Sequence, residues 1–432
     1  MNSAPTTDHP AAHDRGRGHA LTRMTGRDPD EPHRAATPLE LLFDLAFVAA
    51  FGQAGNQLAH LLAEGHVGAA LGGFGFAMFA ICWAWINFTW FASAYDTDDW
   101  YFRVTTMVQM IGVVVLALGL PGVFHSLDEG HGLDNTVLVA GYVVMRVAMV
   151  AQWLRAARQD QARRTVCLTY AGFIIAAQVG WVLMAVLHLE LGPTLALALV
   201  LYAVELAGPV VAETRGGRSA AGATPWHAHH IAERYGLLTI IALGEGVLGT
   251  VTTVSAIVDR QGWTGEAVII VVAGVGITFG LWWGYFTLPS AEILHRFRDR
   301  AWIWGYGHIV VFAAVAATGG GLHVLAYVAE GHSALDATGA ILTVAVPVTV
   351  FLVAMFALFG YLVHELDPMH VALFSGTLVL LVGGVVAVEQ GAPLSAGLLL
   401  ITLAPFVVVV GYEALGHRHE AAMLERVLSR PV

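Results

Sequence analysis

Carboxylates stand within stretches of this sequence that are otherwise apolar. One stretch carries Glu40 and Asp44 and runs on apolar to Leu62, and another carries Glu233 and, twelve residues later, Glu245. An ionised acid at the centre of a bilayer costs roughly 2.5–3.5 kcal/mol even on lenient insertion scales. A chain that keeps several such acids is expected to use them, and carrying protons or cations is the chemistry that suits them.

Glu40 has two interpretations. Thr37, Pro38 and Glu40 have the pattern of a capping box, in which the threonine caps a helix and the glutamate folds back onto the cap amide. Asp44 lies one turn deeper on nearly the same face and has no capping role. The sequence leaves Glu40 open between a cap and a functional acid, and it favours function for Asp44.

Glu233 lies about two turns inside its predicted helix if Thr224 and Pro225 start that helix. His230 precedes it by three residues, so the imidazole can pair with the carboxylate on one face, and Arg234 follows it directly. The alternative is an interfacial cluster of these three side chains that only anchors the helix end.

Glu245 lies about 18 Å further along the same predicted helix. It is flanked by Gly244 and Gly246, which permit close approach of a neighbouring helix. A mid-membrane acid in this position is poised to carry a proton. The alternative is a permanently neutral side chain that is hydrogen-bonded to a neighbouring helix.

Four further residues complete the predicted site. Trp85 and Trp282 belong to aromatic blocks that can line a pocket, although packing and interfacial anchoring are commoner uses of tryptophan. His308 lies within an apolar stretch, where a hydrogen-bonded packing role is the alternative. Asp96 opens a run of three aspartates, which is usually a solvated face.

The composition places these residues in a membrane protein. The chain is 57% hydrophobic and 12% charged, with a mean hydropathy of +0.67, whereas soluble domains are about 25% charged. The apolar runs lack the alternation of barrel strands, so we predict an all-α, polytopic helical protein. About 20 apolar residues cross the hydrocarbon core. Twelve stretches qualify, or eleven if the two short C-terminal ones are one: Leu39–Leu62, Gly68–Trp90, Val104–Phe124, Thr136–Leu154, Val166–Leu187, Pro193–Val211, Ile231–Val258, Ala267–Leu288, Trp302–Tyr327, Ala337–Val363, Val371–Val388 and Leu394–Ala414.

The sequence also resembles itself at a nearly constant offset, which predicts two parallel six-helix repeats. The matched pairs are Glu40 with Glu233, Trp85 with Trp282, Arg103 with Arg300, and Pro209 with Pro405. We therefore divide the chain into a disordered cytoplasmic tail (1–36), a first half (37–212), a cytoplasmic linker (213–225), a second half (226–415) and a cytoplasmic tail (416–432).

The basic residues predict the orientation. All 21 are arginines, and the loops predicted on one side collect nearly all of them, so the positive-inside rule puts both termini in the cytoplasm and Arg260 outside. We expect a bacterial inner membrane protein in contact with lipid. The net charge of −11 is spread over loops on two surfaces and indicates no basic partner, and no basic patch with interleaved aromatics indicates nucleic acid.

Two segments resemble a known family. Residues 38–48 (PLELLFDLAFV) are similar to the opening signature of the bacterial low-temperature-requirement A (LtrA) proteins, and residues 230–247 (HIAERYGLLTIIALGEGV) to the second signature. The resemblance covers about residues 37–415, with Ala46 and Gly246 as small departures. The resemblance implies a multi-pass membrane protein and a growth phenotype in the cold. It does not indicate which biochemical activity the protein has.

The leading functional hypothesis is a secondary transporter or permease with proton coupling. Asp44, Glu233 and Glu245 would carry protons or a cation, with His230 as a relay and an unidentified small molecule as substrate. The alternative is a sensor or structural protein that supports growth at low temperature, and a lipid-modifying enzyme comes third. Since nucleotide, nucleophile and metal-ligand motifs are missing, we expect no enzymatic activity, cofactor or metal. A water-accessible cavity at Glu245 would favour transport, and a sealed core the alternative.

Overall fold

The protein is helical throughout the part that the structure describes. The structure is a computed structural model and describes residues 20–429 except 33, 131, 218–221 and 365–367. It is 85% helical, and no described residue lies in a strand. The α-helices are α1 Pro38–Ala63, α2 Val67–Tyr95, α3 Trp100–Glu129, α4 Thr136–Gln159, α5 Arg164–Leu187, α6 Leu191–Gly216, α7 Ala228–Gln261, α8 Gly265–Phe286, α9 Ser290–Arg296, α10 Ala301–Glu330, α11 Ala337–Val363, α12 Pro368–Glu389, α13 Leu394–Gly411 and α14 His417–Leu428.

Twelve helical segments of the described chain are long and apolar enough to cross a membrane, which confirms the predicted class of an all-α multi-pass membrane protein. The two helices near the C-terminus, α12 and α13, are separate. The long α7 has 34 residues, or about 51 Å at 1.5 Å per residue, which exceeds a hydrocarbon core of about 30 Å.

Local hydrogen bonds set the starts of α1 and α7. The Thr37 hydroxyl accepts from the amide of Glu40 at 3.2 Å, and the Glu40 carboxylate accepts from the amide of Thr37 at 2.8 Å, so the capping box is confirmed. The predicted start of α7 at Thr224–Pro225 is wrong. His227 is the cap, because its Nδ1 accepts from the amide of His230, whereas the Thr224 side chain bonds to Glu213.

Close helix contacts at α1 join helices from both predicted halves. Helix α1 packs against α2 and α3 and also against α7 and α10. Glycines allow these approaches: a Cβ on Gly320 of α10 would lie 3.0 Å from the carbonyl oxygen of Gly55 on α1. A Cβ on Gly249 of α7 would lie 2.4 Å from the carbonyl oxygen of Gly319. Small residues therefore hold α1, α7 and α10 together, as is usual for membrane helices.

The division into two six-helix repeats stays a prediction. Helix α1 packs on α3 as α7 packs on α10, which is the correspondence that the repeat requires. The predicted linker, residues 213–225, begins inside α6, which runs to Gly216, and residues 218–221 lie outside the described chain.

Residues 20–32 and 34–36, which the composition predicts to be part of a disordered tail, make defined contacts across the ends of several helices. Met24 is fully buried, and its amide donates to the Gln159 side chain at 2.6 Å. Arg34 is buried and donates to the carbonyl of Ala92 near the end of α2, where helix carbonyls lack internal partners. One apolar anchor and charge-assisted bonds fix this polar segment. We call this end of the bundle the N-terminal face.

The other residues of the two predicted tails are partly outside the described chain and partly helical. Residues 1–19 and 33 lie outside the described chain. At the C-terminus, helix α14 occupies most of the predicted tail, and its Met423 and Val427 are buried.

Candidate functional site

Four ionisable side chains meet between α1 and α7 in a fully buried group, which we call the α1–α7 cluster. It consists of Glu40, Asp44, His230 and Arg234, each with 0% of its surface exposed. The His230 Nε2 atom lies 3.1 and 3.2 Å from the two carboxylate oxygens of Glu40. The Arg234 guanidinium donates to Asp44 Oδ1 at 2.5 Å and lies 3.5 Å from Glu40 Oε1.

Helix α2 completes the cluster with two polar groups. The indole N–H of Trp85 donates to Asp44 Oδ1 at 2.6 Å, and the Arg234 guanidinium lies 5.7 Å from the Trp85 ring centroid. The Thr89 hydroxyl accepts a longer bond from Arg234 at 3.4 Å. Trp85 therefore acts on Asp44 from within the core, rather than lining a cavity as the sequence predicts.

The charges of the cluster do not balance. Two carboxylates face one guanidinium, so the group carries an excess negative charge unless His230 or a carboxyl binds a proton. Arg34 and Asp96 both lie within electrostatic range of Glu40, and because their charges are opposite, this nearby pair does not neutralise the excess. Five buried atoms of the cluster also have no hydrogen-bond partner among the described residues: Glu40 Oε1, Asp44 Oδ2, His230 Nδ1, and Nε and Nη1 of Arg234.

Two other buried ion pairs of the described chain are balanced by contrast. Arg146 of α4 pairs with Glu205 of α6 at 3.5 Å, and Trp83 donates to the same carboxylate at 2.7 Å. Arg155 pairs one-to-one with Asp99. Glu205 is thus the buried partner of Arg146.

Two of the three aspartates after α2 are buried rather than solvated, whereas Asp98 pairs with Arg103 at the surface. Asp96 and Asp99 are 5% and 1% exposed. Burial raises the pKa of Asp96 to about 6. Burial acts in the same direction on Asp99, but hydrogen bonds from Arg155 and from backbone amides lower its pKa to about 2. The prediction of a solvated face fails for Asp96 and Asp99 because residues 20–32 cover them: Arg27 donates to the carbonyl of Asp96, and the amide of Thr22 bonds to Asp99.

Glu245 lies near the middle of α7 in a niche made of glycines. A Cβ on Gly52 of α1 would lie 3.2 Å from Glu245 Oε1, and a Cβ on Gly319 of α10 would lie 2.5 Å from the Glu245 carbonyl carbon. The side chain is 7% exposed. No described residue forms a hydrogen bond or an ion pair with the Glu245 carboxyl group. The structure therefore shows no partner for the alternative interpretation, in which a neutral Glu245 is hydrogen-bonded to a neighbouring helix.

Glu233 lies apart from both groups. It is exposed at the N-terminal face, and it accepts a hydrogen bond from the amide of Ala36 at 3.2 Å. The predicted pairing with His230 is not formed, because His230 faces α1 and bonds to Glu40. Only the packing of α1 against α7 decides whether His230 bonds to Glu40 or to Glu233.

A cavity of about 670 Å³ opens beside Glu233, among helices α7, α8, α9, α10 and α11 and the segment that follows α13. Trp282 lines it, as the sequence predicts for a pocket wall, and so does His308. His308 is buried, with Nδ1 2.7 Å from the carbonyl of Trp304 and Nε2 3.1 Å from the Tyr285 hydroxyl. Since a carbonyl only accepts, Nδ1 carries a proton, and Nε2 can accept from the Tyr285 hydroxyl when the imidazole is neutral. The cavity does not reach Glu245 or the α1–α7 cluster.

Comparison with known proteins gives one family. The family model described as bacterial low temperature requirement A protein (LtrA) matches residues 35–405, which is most of the chain. The chain belongs to the LtrA family. An uncharacterized protein of Rhizobium meliloti (strain 1021) is 25% identical over 313 residues, which cover 69% of this chain and 71% of that protein. No solved structure matches the chain at a significant level.

In this LtrA protein the two signature segments face each other. Residues 38–48 supply Glu40 and Asp44, and residues 230–247 supply the remaining members of the cluster and Glu245. Sequence reasoning missed the burial of Arg34 and of Asp99 in this LtrA chain. An arginine within an apolar run, as at position 146, predicts a pairing with an embedded acid, and Glu205 is that acid.

One group outside the predicted site has the composition of a cation site. Glu64, His66 and Asp128 lie together on the opposite face, and all three are exposed. His66 Nδ1 lies 2.8 Å from Asp128, so these residues also pair with one another. Exposed acidic groups are common without a bound ion, so we assign no metal to this cluster of the LtrA protein.

Proposed function

We propose that this LtrA protein is a secondary transporter or permease of the bacterial cytoplasmic membrane, coupled to protons through the α1–α7 cluster. The observation that carries the proposal is the excess carboxylate in a fully buried group. Two other buried ion pairs of the described chain, Arg146–Glu205 and Arg155–Asp99, are by contrast matched one-to-one. Burying an uncompensated charge costs several kcal/mol, so the cluster is expected to hold a proton and to release it when its surroundings change.

Glu245 is proposed as a second proton site. It lies eleven residues beyond Arg234 on α7, or about 16 Å along the helix. Its carboxyl group has no protein partner among the described residues, and an intramembrane acid of this kind is a functional candidate by default. The side chains of α1 between the two sites include Phe47 and Phe51, which are apolar and buried. Exchange of a proton between the sites therefore requires α1 to move against α7 and α10.

The orientation forms part of the proposal. The arginines of the loops support cytoplasmic termini, so the N-terminal face and its cavity would open to the cytoplasm. Lipid is the surrounding partner, and protons and a small molecule are the proposed substrates. No catalytic reaction is proposed.

The static alternative is favoured by a different observation. The α1–α7 cluster is 0% exposed, Glu245 is 7% exposed, and the cavity reaches neither. A sealed core of this kind suits a protein that senses or supports the membrane in the cold, with its acids in fixed networks. Transport requires that the sealed arrangement be one of at least two conformations.

Proteoliposomes that contain a pH-sensitive dye test between the two functions. We expect one class among organic cations, organic anions, sugars and amino acids to change the internal pH through the wild-type protein. Asp44→Asn and Glu245→Gln should abolish this change while the protein remains folded, because each keeps its shape but cannot ionise. Glu64→Gln, at an exposed acid on the opposite face, is the matched control. The proposal fails if no class moves protons, or if both core variants still do.

A further inference from the structure

The cavity beside Glu233 has a rim of one charge sign. Its three carboxylates, Glu233 of α7, Glu292 of α9 and Glu413 beyond α13, are all exposed. No arginine is among the described residues that line it, although arginine is the only basic residue type besides histidine in this chain. A cleft lined by one sign of charge concentrates ions of the opposite sign. The rim therefore attracts cations.

The interior of the cavity is aromatic and apolar. Its buried lining includes Tyr285, Trp304, Met355, Leu358 and Tyr412. Trp282 and Phe286 form a partly exposed wall nearer the opening, with ring centroids 5.6 Å apart. Aromatic faces attract cations, and tryptophan does so best. The volume of about 670 Å³ shows that these rings do not fill the space by packing, and it lies within the roughly 300–1,000 Å³ of small-molecule sites.

The histidine of the cavity does not oppose a cation. A neutral imidazole satisfies both bonds of His308, with Nδ1 donating to the Trp304 carbonyl and Nε2 accepting from Tyr285. The side chain is buried and forms no ion pair with a described residue, and burying an unpaired charge is costly, so the neutral form is favoured. The other histidine, His229, is exposed at the rim beside His295. A negative rim, an aromatic wall and a neutral interior suit a ligand with a positive head and an apolar body.

We propose that this cavity binds an organic cation, with Glu233 and Trp282 as its recognition residues. The inference rests on the proposed transport function for its biological role, because it names the class of substrate. Binding itself does not depend on transport. The shared chemistry is a substituted ammonium or phosphonium group, which a soluble amine or a lipid headgroup can supply.

Two probes of equal size and opposite charge test this directly. Tetraphenylphosphonium and tetraphenylborate are titrated into the detergent-purified full chain, with micelles alone as the baseline, and tryptophan fluorescence is followed. We expect saturable binding of the cation, at least about tenfold tighter than any saturable binding of the anion. Equal affinity for the two ions would overturn the proposal.

Variants locate the binding. Glu233→Gln and Trp282→Ala should each weaken cation binding about tenfold, and Glu292→Gln gives a second removal of rim charge. Controls on the opposite face are Glu64→Gln and Trp263→Ala, at an exposed acid and an exposed tryptophan, which should leave the affinity unchanged. If the cavity variants bind as the wild type does, the cation lies elsewhere and the assignment is wrong.

The outcomes separate this inference from the transport proposal. Cation binding without proton movement for any class of compound would keep the cavity assignment and reject transport. Proton-coupled flux of an anion or a neutral compound, without cation binding, would do the reverse. Displacement of the probe by lysophosphatidylcholine but not by choline would identify a lipid headgroup as the source of the cation, and displacement by choline a soluble amine.

Discussion

Asp44 of α1 and Arg234 of α7 bind each other at 2.5 Å although 190 residues separate them in the chain. Both side chains are fully buried, and Trp85 donates to the same carboxylate oxygen at 2.6 Å. This contact joins a helix of the first predicted half to a helix of the second. The two predicted halves therefore meet at an ion pair with a surplus acid beside it, where a change of protonation would alter the contact between α1 and α7.

Arg234→Ala should destabilise the protein by about 3–5 kcal/mol, because it leaves buried acids without their cation. Arg103→Ala is the matched control, since Arg103 pairs with Asp98 at a surface where a salt bridge is worth about 0–1 kcal/mol. Thermal unfolding in detergent compares the two. Similar melting temperatures for both variants would show that the α1–α7 cluster contributes no more than a surface pair.

Gly319→Ala should lower the melting temperature clearly, because the new Cβ would lie 2.5 Å from backbone of Glu245. Overpacking of this kind costs about 1–3 kcal/mol. Gly244→Ala, on α7 where a Cβ would meet nothing within 4 Å, should leave it unchanged. Equal tolerance of the two changes would contradict the close approach of α7 and α10.

Asp96→Asn should change how stability depends on pH. Burial raises the pKa of Asp96 to about 6 in the folded protein, above its ordinary value of about 4. The folded state then binds more protons than the unfolded state between about pH 4 and 6, so stability falls as the pH rises through this window. In Asp96→Asn, stability should lack the part of this pH-dependent decrease that Asp96 causes. Asp30→Asn, at an exposed position, should retain the whole decrease. Melting temperatures from pH 4 to 7 give the comparison.

Reporter fusions test the orientation. A fusion after Arg158, at the end of α4, should report the cytoplasm, and a fusion after Arg260, at the end of α7, should report the outer side. These positions lie near opposite ends of the bundle. A fusion at Arg158 that reports the outer side would reverse the proposed orientation and place the cavity outside the cell.

The sequence alone determined the class and the number of spans to within one, and it predicted the pattern of the capping box at Thr37. These features are local: a helix satisfies its backbone hydrogen bonds within itself, and hydropathy over about 20 residues decides whether it can cross a bilayer. The sequence also marked Glu40, Asp44, Glu233 and Glu245 as costly, because an acid in an apolar run is costly in whatever fold the chain adopts.

Only the tertiary structure decided the partner of each acid. His230 could reach Glu233 on its own helix, yet it bonds to Glu40 because α1 packs on that side of α7. Packing also left Glu245 without a partner among the residues that the structure describes, and it buried Asp99 against Arg155. Side-chain pairing between helices depends on which faces meet, and that is a property of contacts nearly 200 residues apart that no local pattern encodes.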